Sequence, residues 1–341
     1  MLVKIPMKRA DLTYSFPEEL IATVPSRPTR VMFAEKAFEP VEISLDDLIR
    51  KIPAGDVFVI NTTQVIKRRV FAGELEILFL NQVSVNKEAN EWSVLFPSKK
   101  LKLGEHVSLP GGFSLELIEK GRPQRVKITP AITQKDFDQF AELPLPPYIQ
   151  KARNNRHATT EDTNWYQTAW AKDAGSFAAP TASLHFSKMQ IQQLIARDVQ
   201  VIELVLHVGL GTFLPVLTED LNDHTMHEEF YEISQANWDK IINAKKDSRG
   251  IWSLGTTTTR VLESVARTGV LTGSTDILLQ EGSEFKIVDR LLTNFHQPES
   301  TLLALVAGFA GLKTVKHNYC WAVARKFKLF SYGDLSVWIK P

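Results

Sequence analysis

The sequence predicts an α/β main domain, a layered sheet with helices, carrying an inserted small antiparallel β-barrel domain. Residues 1–64 and 144–341 belong to the first and 65–143 to the second. Three observations lead there. At 341 residues the chain can build two cores. After Thr163, short apolar segments alternate with stretches of helical periodicity, the pattern of strands covered by helices. Between Val65 and Phe140, by contrast, ELEILFL, EWSVLF, EHVSL, FSLELIE and QRVKIT follow one another, separated by NQVSVNKEAN, PSKKLKLG, PGG and KGRP. Short strands broken at regular intervals by Gly- and Pro-bearing turns make a small barrel or sandwich.

Composition narrows the class. Hydrophobic residues are 44% of the chain and charged residues 23%, ordinary for a globular protein. The formal charge is +1, so a polyanion must be met by local patches rather than by a global field. The single cysteine, Cys320, excludes a disulfide framework and a cysteine-only metal cage and fits a reducing compartment. The first residues, MLVKIPMKRADL, hold no apolar segment of signal-peptide length. The longest apolar run, Leu302 to Leu312, is short of the roughly 20 residues a membrane span needs. A cytoplasmic monomer with no membrane partner is expected.

In chain order, Tyr14 to Leu20 reads as a turn and a short helix start. Ser44 to Lys51 reads as a helix, capped by Ser44 with Asp47 three residues on. Asp56 to Ile60 is a buried strand running into the turn Asn61-Thr62-Thr63. The turns of the inserted domain carry Lys99, Lys100, Lys102, Lys120, Arg122, Arg125 and Lys127, with Lys67-Arg68-Arg69 at its entrance. These form either a solvated face or a phosphate-contacting one. Asp136 to Leu143 is a short helix that Pro144–Pro147 stops. Residues 150–164 read as a polar, mobile loop whose Lys151, Arg153 and Arg156 either meet phosphates or keep it solvated. Ser187 to Arg197 is a helix with Met189, Ile191, Leu194 and Ile195 facing inward. Val199 to His207 is a strand apolar enough to be covered on both faces. Further strands are read at Ile251–Leu254 and Asp276–Leu279, and helices at about 235–246, 257–267, 300–311 and 314–327.

The stretch from Tyr166 to Phe213 carries the chemistry. Ala174-Gly175-Ser176 and Ala178-Ala179-Pro180-Thr181-Ala182-Ser183 crowd small residues into one loop, as a backbone that approaches a ligand requires. His185 and His207 close apolar segments on either side of a helix, placed for strands to deliver both to one rim. Gly209-Leu210-Gly211 lacks the third glycine and the helix of a dinucleotide loop. Thr256 to Arg260, after a strand and opening a helix, offers backbone N–H groups and hydroxyls to an anion, or else is an over-capped helix start. His224 and His227 with Glu228 and Glu229 could hold a metal, form an acid–base pair or be structural; no HExxH pattern exists, and no metal is expected. Asn294-Phe295-His296 supplies another imidazole at a strand end.

GSFAAPTASLHF at 175–186 and LHVGLGTFLPV at 206–216 strongly resemble the S-adenosylmethionine:tRNA ribosyltransferase-isomerases of queuosine biosynthesis. PLPPYI at 144–149, His224-x-x-His227-x-Glu229, GTTTTRVLES at 255–264, LLTNFHQPESTLLALVAGFAG at 291–311 and FSYGD at 330–334 extend the likeness in the family's order. The resemblance implies an enzyme that transfers and isomerises the ribosyl part of S-adenosylmethionine onto 7-aminomethyl-7-deazaguanine in tRNA, giving epoxyqueuosine and releasing adenine and methionine. S-adenosylmethionine is then a cosubstrate, and no permanently bound cofactor is needed. Catalytic candidates are His185, His207, His227, His296 and Glu229. Substrate-binding candidates are Tyr166, Gly175, Ser176, Ala179, Pro180, Thr181, Gly209, Gly211, Thr212, Thr256, Thr257, Thr258, Arg260 and Asn294. Those for tRNA are Lys99, Lys100, Lys102, Lys151 and Arg153. Ser15, Thr62, Lys67, Ser183 and Ser283 stand where the family prefers other residues, which leaves open a paralogue with another acceptor, or a non-catalytic RNA-binding protein.

Overall fold

The computed structural model describes residues 7–35, 39–85, 88–209, 211 and 216–340. In chain order these form β1 (Arg30–Ala34), β2 (Val41–Ser44), α1 (Leu45–Lys51), β3 (Val57–Asn61), β4 (Thr63–Val65), β5 (Arg69–Ala72), β6 (Leu75–Val85), β7 (Asn90–Leu95), β8 (His106–Ser108), β9 (Ser114–Glu119), β10 (Gln124–Thr129) and α2 (Gln134–Phe140). There follow α3 (Pro147–Arg153), α4 (Asp162–Trp165), β11 (Asp173–Ser176), α5 (Lys188–Ala196), β12 (Gln200–Leu206), β13 (Glu229–Glu232), α6 (Gln235–Lys246), β14 (Ile251–Leu254), α7 (Thr256–Thr268), β15 (Thr272–Thr275), β16 (Arg290–Asn294), α8 (Thr301–Ala310), α9 (Leu312–Ala324) and β17 (Leu335–Ile339). The fold is mixed α/β. The chain divides into two compact units, one of residues 1–64, 146–154 and 164–341, the other of 65–145 and 155–163.

The first unit is built on a nine-stranded sheet in the order β15-β13-β12-β3-β14-β16-β17-β1-β2. Its middle strands β12, β3, β14 and β16 run parallel, so Leu206, Asn61, Leu254 and Asn294 end along one edge. Side-chain alternation separates two cores. Val57 and Val59 of β3 join a cluster with residues of α6, α7, α8 and α9, while Phe58 and Ile60 join one with α1 and α5. Helix α1 starts where its capping box predicts, with Asp47 N–H bonded to Ser44 Oγ at 3.0 Å.

The second unit is a six-stranded antiparallel sheet, β5-β6-β7-β10-β9-β8, and is nearly barrel-shaped. Inward residues such as Ile77, Phe79, Trp92, Val94, Leu115, Leu117, Val126 and Ile128 form one core, and α2 adds Phe137 to it. Segment 155–163 is fastened within this unit: His157 Nδ1 lies 2.7 Å from Glu142 Oε1, and the Ala158 N–H donates to Glu142 Oε2 at 2.8 Å.

Several expectations are corrected. Asp276–Leu279 is not a strand; the neighbouring β15 ends at Thr275, whose Oγ1 accepts from the Ile277 N–H at 3.2 Å, and Leu279 is buried without joining a ladder. Residues 150–153 are helical, because Pro147 sits at the first turn of α3 with its φ already helical, rather than ending a helix. In α5 Leu194 is buried, but Met189 and Ile195 are 63% and 55% exposed, since residue 189 lies opposite the stripe through 191 and 194 and residue 195 at its edge. Strand β12 alternates in burial, with Glu203 outward, instead of being covered on both faces. The pairing of β1 with β17 was not foreseen. Among the described residues no helix is long and apolar enough to cross a membrane.

Candidate active site

The parallel strand ends of the first unit open on a cleft. Its walls are the small-residue loop Ala178–Ala182, the start of α7 at Gly255–Thr257, the segment Thr293–Gln297 that leaves β16, and Phe330-Ser331. The space between them is about 810 Å³, open solvent at the mouth included.

Among the described residues no side chain caps the first N–H groups of helix α7 from its N-cap position. Gly255 at its N-cap has φ +97°, a backbone that side-chain-bearing residues avoid, and offers no side-chain cap. Thr258 Oγ1 turns back to the Leu254 carbonyl at 2.8 Å, and Thr259 Oγ1 meets Ser253 Oγ at 2.8 Å. Thr256 and Thr257, with Arg260 a turn later, line the cleft. Arg260 is buried and paired with Glu229, whose Oε1 accepts from the Gly209 N–H at 2.7 Å. Glu229 is thus committed to a buried strut rather than open to a substrate.

The imidazoles differ sharply. His296 lines the cleft. Its Nε2 is 2.8 Å from Thr293 Oγ1, its backbone N–H donates to Tyr319 Oη at 3.0 Å, and its carbonyl accepts from Tyr14 Oη at 2.6 Å. Among the described residues Nδ1 has no partner. Burial pushes His296 down to about 3, so the ring is neutral near pH 7. His185 does not line the cleft and ends a 3-10 turn, Thr181–His185, rather than a strand. Its Nε2 meets Asn294 Nδ2 at 3.1 Å and its Nδ1 meets Thr29 Oγ1 at 3.1 Å. Burial, and then the Arg27 charge, push it to about 3. His207 follows β12, bonds Thr63 Oγ1 through Nδ1 at 2.8 Å and stacks on Phe230; burial lowers its pKa. His227 is exposed. Among the described residues no group of three or more His, Cys, Asp or Glu could hold a metal ion.

Of the substrate-binding candidates, Tyr166, Ala179, Pro180, Thr181, Thr256, Thr257, Arg260 and Asn294 line the cleft. Gly175, Ser176, Gly209, Gly211 and Thr258 do not line it. Ser176 Oγ accepts from the Val208 N–H and donates to the Ala178 carbonyl, both at 2.8 Å, stitching the small-residue loop to the end of β12. Gly175 is required for space: a Cβ there would lie 2.8 Å from the His207 ring. A Cβ on Gly211 would meet His227 at 2.8 Å, so that glycine makes room for an imidazole, not for a ligand. Thr212 lies outside the described residues. Tyr148, Ser300, Phe330 and Ser331 line the cleft and were not singled out, although PLPPYI and FSYGD contain three of them.

Comparison with known proteins decides the family. A family model described as queuosine biosynthesis protein matches residues 9–338. The chain belongs to the queuosine biosynthesis protein family. A relative from Carboxydothermus hydrogenoformans, named S-adenosylmethionine:tRNA ribosyltransferase-isomerase, is 39% identical over 347 residues, covering 96% of this chain and 98% of its own. One of the same name from Sulfurihydrogenibium sp. is 36% identical over 340 residues at the same coverage. The crystal structure of the S-adenosylmethionine tRNA ribosyltransferase from Thermotoga maritima is 28% identical, with a TM-score of 0.55 over 96% of this chain and 99% of that one.

Proposed function

We propose that the chain is an S-adenosylmethionine:tRNA ribosyltransferase-isomerase acting in the cytoplasm on tRNA that carries 7-aminomethyl-7-deazaguanine, with adenine and methionine released and epoxyqueuosine formed. The observation that carries this reading is the cleft itself: helix-start donors, a neutral imidazole and a wall of small residues meet at the parallel strand ends in a chain of this family. The N–H groups of Thr256 and Thr257 and the positive end of α7 suit the methionine carboxylate. The sulfonium acidifies the neighbouring C5′ hydrogen, the departing adenine needs a hydrogen-bond donor, and the attacking amine must be neutral. His296 is the imidazole placed to serve one of these steps. Adenine release from S-adenosylmethionine with the precursor tRNA tests the reading; release only with a different RNA would mark a paralogue, and none with any RNA would sink it.

His296→Ala is expected to lower kcat about 10²–10⁴-fold, the usual loss for one acid–base or donor group, with S-adenosylmethionine affinity within about threefold of wild type. Calorimetry and single-turnover rates check both halves.

The tRNA would be gripped by the second unit. A groove there is lined by Phe96, Lys99, Lys100, Arg122 and Gln124, with Glu74, Glu76 and Arg156 also on its walls. Lys102 follows on the same connection. Of the other candidates, Lys151 is exposed, whereas Arg153 donates from Nε to the Thr23 carbonyl at 2.9 Å and sits over Tyr332. Changing Lys99, Lys100 and Lys102 to Glu should weaken tRNA binding and flatten log K against log salt by about 0.9 per lost phosphate contact or less. S-adenosylmethionine affinity should not move. Unchanged tRNA affinity would shift the docking surface to the neighbourhood of Lys151.

A further inference from the structure

We infer that Asn294 presents its side-chain carbonyl to a hydrogen-bond donor of the bound substrate, and that His185 is the positioning residue that holds it so rather than a base that takes the substrate's proton. This rests on the cleft being the substrate site. Asn294 ends β16, lines the cleft and is 2% exposed. Its Nδ2 is 3.0 Å from the Phe330 carbonyl and 3.4 Å from the Ser331 carbonyl. Both can only accept, so the amide cannot be reversed without setting oxygen against oxygen. The other Nδ2 hydrogen then goes to His185 Nε2, which must be the unprotonated ring nitrogen. The ring proton sits on Nδ1 and is donated to Thr29 Oγ1. That hydroxyl also accepts from Arg27 Nη1 at 3.1 Å, and Arg27 Nη2 donates to the Leu184 carbonyl at 2.5 Å.

Among the described residues, the one buried polar side-chain atom of Asn294, His185 and Thr29 left without a partner is on Asn294. Both nitrogens of His185 are used inside the protein, and the ring borders a separate hollow with Arg27, Thr29, Asp46 and Ser187. Protonating Nε2 would turn an N–H against the Asn294 amino group, beside the Arg27 charge. Asn294 Oδ1, by contrast, is buried and accepts from nothing among the described residues. A buried acceptor without a donor is costly, and one on a cleft wall is explained by a ligand that supplies the donor. The donor is an N–H or O–H group: the amino group and ribose hydroxyls of S-adenosylmethionine and the aminomethyl group of the acceptor base can each supply it.

A double-mutant cycle on the full chain tests this. Asn294→Ala should cost about tenfold, either in S-adenosylmethionine affinity measured by calorimetry without RNA or in KM for precursor tRNA. The first result assigns the donor to the cosubstrate, the second to the RNA, and no loss in either overturns the inference. His185→Phe should lose in the same quantity, and the double variant should lose no more than Asn294→Ala alone; additive losses would show independent roles and overturn the relay. Should His185→Phe fail to fold, His185→Gln, whose Oε1 can accept from Asn294 Nδ2, decides instead. Recovery to within about threefold of wild type supports positioning. A kcat fall of about 10²–10⁴ with affinity unmoved would make His185 the proton-transferring group after all. Wild type that binds S-adenosylmethionine but modifies no RNA defeats the proposed function while leaving the calorimetric arm readable.

Discussion

Glu229→Ala is expected to lower the free energy of unfolding by about 3–5 kcal/mol, the loss seen when one partner of a buried ion pair is removed. Arg260 is almost fully buried in α7. Its Nη2 donates to the Thr275 carbonyl at 3.3 Å and its Nε to the Ile277 carbonyl at 3.4 Å, so among the described residues Glu229 is its carboxylate partner. Without it a guanidinium remains in the protein interior with two long bonds to carbonyls and no counter-charge. The Gly209 N–H would lose its acceptor at the same time. Glu229→Gln keeps an acceptor for Gly209 and should fall between alanine and wild type. Replacing both partners, Glu229→Leu with Arg260→Met, should recover much of the stability, because desolvating the pair is itself expensive. Urea midpoints of the four proteins measure this. A Glu229→Ala protein within about 1 kcal/mol of wild type would mean that water reaches the pair.

The strut also shows what the sequence could and could not say. Glu229 was legible as a functional candidate because it stands in His224-x-x-His227-x-Glu229, but its partner lies in another motif, GTTTTR, and only the fold joins them. The same is true of Asn294 and His185, which are 109 positions apart. Local signals read well where the physics is local: the Ser44 box and the Ser187 cap start α1 and α5, and Gly/Pro turns separate the strands β7 to β10, whereas NQVSV, expected as a connection, continues β6 to Val85. They failed where neighbours in space decide. RVMFA at β1 and LSVWI at β17 are short apolar runs that become strands by pairing with each other at opposite ends of the chain. DILL at 276–279 has the composition of a strand and no edge to join. The cleft walls were legible as small residues and threonines, since a backbone that must approach a ligand selects them. The roles of the histidines were not, since the groups their rings bond, Thr29 and Asn294 for His185 and Thr63 for His207, lie far off in the sequence.

Acid should unfold this protein early, and the two buried imidazoles set the window. His185 and His296 are both pushed down to about 3 in the folded chain, chiefly by burial, whereas an unfolded histidine titrates near 6.5. Between those values the unfolded state holds more protons, so stability rises with pH and is lost as pH falls below about 6.5. Each imidazole contributes a slope of about 1.4 kcal/mol per pH unit, or roughly 2 kcal/mol each between pH 6.5 and 5.0. His207, whose pKa burial also lowers, acts in the same sense. Asp334 acts in the opposite one, since burial raises its carboxyl and the folded state then gains protons on acidification. The interval above pH 5 isolates the imidazoles, because most carboxylates stay ionised there. Urea unfolding at pH 5.0, 5.5, 6.0 and 6.5 should give a slope that His185→Gln and His296→Gln each reduce by about one proton's worth. A slope that neither substitution changes would mean that both rings take up their protons without unfolding, and the neutral tautomer assigned to His185 would fall with it.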